Sequence, residues 1–171
     1  MSPSAPDKTP RGIRLAAFDV DGVFTDGRLW LSDAGVESKA FCTQDGYGIK
    51  ALIRAGIAVA VISGRDSEAV RIRMRELGVP YLLQRVDDKV AAFEALLGKL
   101  GLAAAQCAYA GDDVPDLPLL RRVGFAVAVA NAVDEVKAAC DYVTRARGGE
   151  GAVREVCDLI LRAAAGGREG P

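Results

Sequence analysis

Two aspartates separated by one residue, Asp19 and Asp21, end the apolar run Ile13 to Val20 and are followed by glycine. Carboxylates at i and i+2, where a chain leaves a sheet, lean toward one cleft, and a buried pair needs a cation. Three more polar clusters follow apolar runs in the same way: Ser63-Gly64-Arg65, Asp87-Asp88-Lys89 and Gly111-Asp112-Asp113. Together they supply what phosphoryl transfer requires. Asp19 attacks phosphorus and forms an aspartyl phosphate; Asp21 protonates the leaving oxygen and later deprotonates water. Asp112 joins Asp19 and Asp21 in an all-oxygen site suited to Mg²⁺, with Asp113 and Asp116 behind these ligands. Ser63 and the backbone N–H of Gly64 hold phosphate at a helix start, and Lys89 balances the negative charge. Each residue alone has a plainer use. Asp-x-Asp-Gly is a common turn, Ser63 can cap a helix beginning at Asp66, and Asp112 and Asp116 can be acids at a helix start. Four clusters arriving in order at successive strand ends outweigh those readings.

Positioning these residues takes a particular scaffold. Apolar runs at Ile13 to Val20, Ile57 to Ile62, Tyr81 to Leu83, Cys107 to Ala110 and Phe125 to Val129 are continuous rather than alternating. Helical patterns at 46–55, 66–77, 88–100, 114–122, 133–139 and 150–165 separate or follow them. That pattern predicts an α/β fold, a three-layer doubly wound parallel sheet with both faces covered. Ligands of such sheets bind beyond the carboxyl ends of the strands, where the four clusters lie. A β-hairpin at 28–41, turning at Ser32-Asp33-Ala34-Gly35, is inserted after the first strand and is too short to be a second domain. Residues 1–11, with three prolines among the first ten, read as a disordered leader; 12–165 form the single domain; 166–171 read as a frayed tail.

Composition narrows the chemistry further. Half of the 171 residues are hydrophobic, enough for a sizeable core, and 22 basic side chains against 23 acidic ones give no general grip on nucleic acid or an anionic membrane. A small-molecule partner and a cytoplasmic location are expected. The chain has no histidine, which excludes Ser-His-Asp and phosphohistidine chemistry and His-ligated zinc. The cysteines at 42, 107, 140 and 157 form no CxxC pair and read as reduced thiols.

The four motifs resemble those of the haloacid dehalogenase-like phosphatases, from about Ile13 to Leu161. More narrowly, Asp19-Val20-Asp21-Gly22-Val23-Phe24-Thr25-Asp26-Gly27, Asp45-Gly46-Tyr47-Gly48-Ile49, Ser63-Gly64-Arg65, Asp141-Tyr142-Val143-Thr144 and the segment Gly148 to Glu155 are similar to the subfamily acting on phosphorylated keto-acid sugars. The resemblance implies a capless, Rossmann-like fold and Mg²⁺ held by Asp19, the backbone carbonyl of Asp21 and Asp112. It also implies a homotetramer in which the hairpin packs against neighbours. Substrate contacts would fall on Cys42, Thr43, Gln44, Asp45, Gly46, Lys50, Gly64, Arg65, Arg73 and Lys89, and residues 148–155 would approach a neighbouring active site. The implied substrate is 3-deoxy-D-manno-octulosonate 8-phosphate (KDO 8-phosphate), used in lipopolysaccharide synthesis. The alternatives are a sialic-acid-like 9-phosphate and a noncatalytic phosphate-binding assembly module. Gln44, Lys50 and Arg85 stand where the subfamily usually has Arg, Arg and Gly.

Overall fold

The structure, a computed structural model, describes residues 8–166. Strand β1 (Leu15–Phe18) is buried at every position, as are all but the first residue of β4 (Ala58–Ile62). With β5 (Tyr81–Leu83), β6 (Cys107–Gly111), β7 (Phe125–Ala128) and β8 (Tyr142–Val143) they make a six-stranded sheet in the order β5-β4-β1-β6-β7-β8, every pairing parallel. The chain builds outward from β1 on one side through β4 and β5, then crosses to β6 on the other. The order therefore reverses between β1 and β6, and a crevice opens there beyond the strand ends.

Helices α1 (Thr43–Arg54), α2 (Glu68–Leu77), α3 (Lys89–Leu100), α4 (Leu117–Leu120), α5 (Asp134–Ala138) and α6 (Ala152–Gly166) complete the domain. Helix α1 packs on α6 and touches α2, while α3 packs on α4. Asp88 caps α3 by accepting a 3.0 Å bond from the Ala91 N–H, which fixes Lys89 as its first residue. The expected helix at 114–122 divides into a 3₁₀ turn, Val114–Asp116, and the short α4. Pro115 and Pro118 lack the N–H donors that a longer helix would need. Strand β8 was not anticipated; two residues at a sheet edge give no readable period. Arg85 has φ of 58°, a left-handed conformation that explains a usual glycine there, and its guanidinium is 2.5 Å from Asp66.

The hairpin is present but shorter than expected: β2 (Trp30–Leu31) pairs antiparallel with β3 (Glu37–Ser38). Among the described residues no cap domain follows it. Of the expected leader, residues 1–7 lie outside the described residues, whereas Pro10 is buried and Lys8 lies 3.5 Å from Asp141. Residues 167–171 of the expected tail lie outside as well. All four thiols are free. Among the described residues, no helix is long and apolar enough to cross a membrane.

Candidate active site

The crevice between β1 and β6 is a cleft of about 320 Å³ lined by Asp19, Asp21, Gly27, Ser63, Gly64, Arg65, Lys89, Asp112, Asp113, Pro115 and Asp116. All four predicted clusters meet in it. A larger cavity of about 480 Å³ lies between residues 9–14 and the end of α6; among the described residues its charged groups are Arg11 and Arg14, and it shares no lining residue with the carboxylate cleft.

Asp116 organises the floor of the cleft. Its side chain is almost fully buried; Oδ1 accepts from Lys89 Nζ at 2.7 Å and Tyr109 Oη at 2.6 Å, and Oδ2 accepts from the N–H groups of Asp112 and Asp113 at 3.0 and 3.3 Å. Lys89 Nζ also lies 3.0 Å from Asp19 Oδ2, so one ammonium bridges the nucleophile candidate and the buried carboxylate. Burial pulls the Lys89 ammonium down, but Asp19 and Asp116 outweigh that and hold its pKa above the ordinary lysine value. Burial, then the charges of Asp116 and Asp19, raise the Tyr109 phenol far above its ordinary value, so it donates as a neutral hydroxyl. Tyr109 reads in sequence as a strand core residue, and nothing there marks it as part of the site.

Carboxylate oxygens of Asp19, Asp112 and Asp116 lie within 4.8 Å of one another. With both oxygens of Asp116 engaged by donors, Asp19 and Asp112 are left to face a cation, and Asp112 accepts no side-chain hydrogen bond among the described residues. Burial, followed by the Asp116 charge, pushes Asp19 up to about 7 despite Lys89 and the Val20 N–H. Burial and then the charges of Asp19, Asp116 and Asp113 do the same to Asp112, also to about 7. Two carboxylates this reluctant to ionise, in a cleft of hard oxygen donors, fit a divalent cation. Asp113 serves its own turn instead: it is exposed and accepts from the Val114 N–H at 2.8 Å.

Ionising Asp19 and Asp112 opposes folding. Each begins from 3.8 in the unfolded chain, so the metal-free protein loses stability as pH rises from there through about 7. Bound Mg²⁺ reverses that loss. The rise in unfolding temperature on adding Mg²⁺ is therefore expected to be several degrees larger at about pH 8 than at about pH 5.5. Equal rises at both pH values in a thermal melt would contradict this.

The loop after β1 is clamped from three sides. Gly22 has φ of 84°, and a Cβ there would overlap Asp112 Oδ2. Asn131, not anticipated from sequence, donates Nδ2 to the Gly22 carbonyl at 2.9 Å and accepts from the Gly148 N–H at 2.6 Å. Gly149 donates to the Val23 carbonyl at 3.2 Å. The segment from Gly148 thus packs on the loop after β1 of its own chain. Ser63, 3 % exposed, accepts from the Arg65 N–H at 3.2 Å and shapes the turn under Gly64. It does not cap α2, which starts two residues later than expected.

Several expected substrate contacts lie outside this cleft. Asp45 is buried and accepts at 2.9 Å from the Arg154 N–H at the start of α6, so it ties α1 to α6. A Cβ on Gly46 would crowd Arg73 and Leu77, and one on Gly48 would press on Cys157; both glycines allow close helix packing. Arg73 is ion-paired with Glu76 at 2.8 Å. Cys42, Thr43 and Gln44 stand at the start of α1, and Lys50 lines a separate hollow with Arg54 and Arg75. The resemblance places Asp45 and Gly46 among the substrate contacts; within this chain they lie on α1 and pack it against α6 and α2.

Residues 81–156 match the family model for haloacid dehalogenase-like hydrolases. The 3-deoxy-D-manno-octulosonate 8-phosphate phosphatase of Escherichia coli K12 is 48 % identical over 151 residues, covering 88 % of this chain and 80 % of that protein. The chain belongs to the haloacid dehalogenase-like hydrolases. Within that hydrolase family, the corresponding phosphatase of Moraxella catarrhalis, solved with magnesium, phosphate and KDO, superposes with a TM-score of 0.89 at 46 % identity, covering 91 % of this chain and 90 % of that one. A cobalt-bound form from Haemophilus influenzae gives 0.89 at 42 % identity, with 92 % of each chain covered.

Proposed function

We propose that this chain is a Mg²⁺-dependent phosphatase that hydrolyses KDO 8-phosphate to KDO and inorganic phosphate, a step in lipopolysaccharide synthesis. The convergence of Asp19, Lys89, Asp112 and Asp116 at the β1–β6 crevice carries the chemistry. The near-complete alignment with phosphatases named for this substrate favours the eight-carbon sugar over a nine-carbon one. An Asp21 two residues after the nucleophile argues against a noncatalytic module, which has no need to clear an aspartyl phosphate.

When bound by Asp19, the Asp21 carbonyl and Asp112, Mg²⁺ supplies positive charge against the phosphoryl oxygens. An Asp19 oxygen attacks phosphorus as the ester P–O bond breaks, and Asp21 gives the departing alkoxide its proton. The ionised Asp21 then takes a proton from water, whose oxygen attacks the aspartyl phosphate and releases phosphate and free Asp19. Lys89 neutralises charge on Asp19 and the phosphoryl group, while Asp116 and Tyr109 hold Lys89 and the Asp112 backbone in place. Gly64 and Ser63 offer N–H and hydroxyl groups to the phosphate. Arg65, half exposed at the rim, suits the sugar-acid carboxylate.

Assembly as a cytoplasmic homotetramer belongs to the same proposal. Leu29, Trp30, Leu31 and Val36 on the hairpin are 46, 60, 63 and 62 % exposed, an apolar edge suited to a second copy. Cys42, Thr43, Gln44, Lys50 and Arg73 serve substrate only by reaching a neighbour's cleft; light scattering that returns a monomer ends that role.

The deciding assay follows phosphate release from KDO 8-phosphate, a nine-carbon keto-acid 9-phosphate and p-nitrophenyl phosphate. A kcat/KM at least about 100-fold higher on KDO 8-phosphate than on the aryl ester, lost with EDTA, is expected. Turnover no faster than the aryl ester removes the substrate assignment.

A further inference from the structure

The hairpin brings to the cleft two charges that the mechanism above does not use. Lys39 Nζ forms an ion pair with Asp21 Oδ1 and lies 3.3 Å from Glu37 Oε1, with its side chain only 1 % exposed. Arg65 closes the circuit: its Nη2 is 2.6 Å from Glu37 Oε2, and its Nε is 3.7 Å from Asp21 Oδ2. Two acids and two bases thus form a ring joining the end of β1, the hairpin strand β3 and the turn after β4. Arg65 is half exposed and free to turn toward a ligand, whereas Lys39 is enclosed and, among the described residues, its ammonium pairs with Asp21 and Glu37 alone.

An acid/base group must hold one oxygen within reach of the leaving oxygen. Asp21 stands on the loop that follows β1, and the cleft it shares with Asp19 and Asp112 holds further carboxylates. Lys39 is its enclosed cationic partner. We propose that Lys39, seated by Glu37, is the positioning residue for Asp21: it fixes the acid/base carboxylate over the cleft, and the hairpin is thereby part of the catalytic apparatus as well as an apolar edge. This rests on the phosphatase function proposed above. Its signature is selective, because proton delivery matters for an alkoxide leaving group and hardly at all for p-nitrophenolate.

The test compares kcat/KM, which reports the steps through transfer to Asp19, for KDO 8-phosphate and p-nitrophenyl phosphate. Lys39→Met is expected to lose about 100-fold on the alkyl ester and no more than about threefold on the aryl ester, and Lys39→Arg to recover most of the loss. Glu37→Gln, which keeps the ammonium but weakens its seat, is expected to show the same selectivity at about tenfold, and it decides the matter if Lys39→Met is insoluble. Equal losses on both esters, or none on either, overturn the proposal. Should wild type reject KDO 8-phosphate, the substrate assignment falls alone, and the same comparison is made with whichever alkyl phosphate the wild type hydrolyses.

Discussion

Asp19→Asn is expected to abolish phosphate release while making the metal-free protein harder to unfold. The amide cannot attack phosphorus, and loss of a covalent nucleophile costs on the order of 10⁴-fold or more in kcat. The stability change has the opposite sign. Above about pH 7 the native fold must ionise a carboxylate whose pKa it has raised from 3.8 to about 7, chiefly by burying it and secondarily by placing Asp116 nearby. An uncharged isostere removes that cost. The Lys89 ammonium is not stranded, because Asp116 remains 2.7 Å away. A gain of at most about 4 kcal/mol at about pH 8 without metal is expected, or up to roughly 8–16 °C in a melt. The gain should vanish at about pH 4, where Asp19 is protonated in wild type, and Mg²⁺ should stabilise the variant less than wild type. Retained turnover removes Asp19 as nucleophile. Retained Mg²⁺ stabilisation with no activity would leave Asp19 a nucleophile but not a metal ligand.

The opposed effects mark what was legible in the sequence. Asp19, Ser63, Lys89 and Asp112 could be found because each follows a continuous apolar run, and a parallel sheet gathers such positions at one edge. Asp116 was found through its one-turn spacing from Asp112. The residues that hold these in place were not found. Lys39 is 18 positions from Asp21, and in a hairpin of polar and apolar residues it reads as one more solvated lysine; its role follows from how two-residue strands fold back over the cleft. Asn131 meets Gly22 across 109 positions, a distance that local pattern does not reach. The packing roles of Asp45 and Gly46 were not legible either, since the first accepts from the start of α6, 109 positions away, and the second admits Arg73 and Leu77 from α2.

Lys89 separates the two uses of positive charge in the cleft. Replacing it by methionine keeps the length of the side chain but leaves Asp19, Asp112 and Asp116 with no ammonium among them. Two consequences run in opposite directions. Phosphate carries its own negative charge into the cleft and loses its nearest cation, so kcat/KM is expected to fall on the order of 10³-fold, and inorganic phosphate should inhibit less. Mg²⁺ loses a competitor for the same carboxylates, so it should bind about tenfold more tightly. Without metal, Lys89→Met is expected to be destabilised by about 3–5 kcal/mol, because a buried ion pair broken on one side leaves its other charge uncompensated; saturating Mg²⁺ should return much of that. Lys89→Arg keeps the charge, but its broad planar guanidinium does not fit a point 2.7 Å from Asp116 and 3.0 Å from Asp19 at once, so recovery should be partial. Calorimetric titration of Mg²⁺ into the metal-free variant, set beside phosphate inhibition, reads both effects. Weakened Mg²⁺ binding in Lys89→Met would mean that the lysine preorganises the metal's carboxylates rather than competing for them, and the division of labour between ammonium and metal would have to be redrawn.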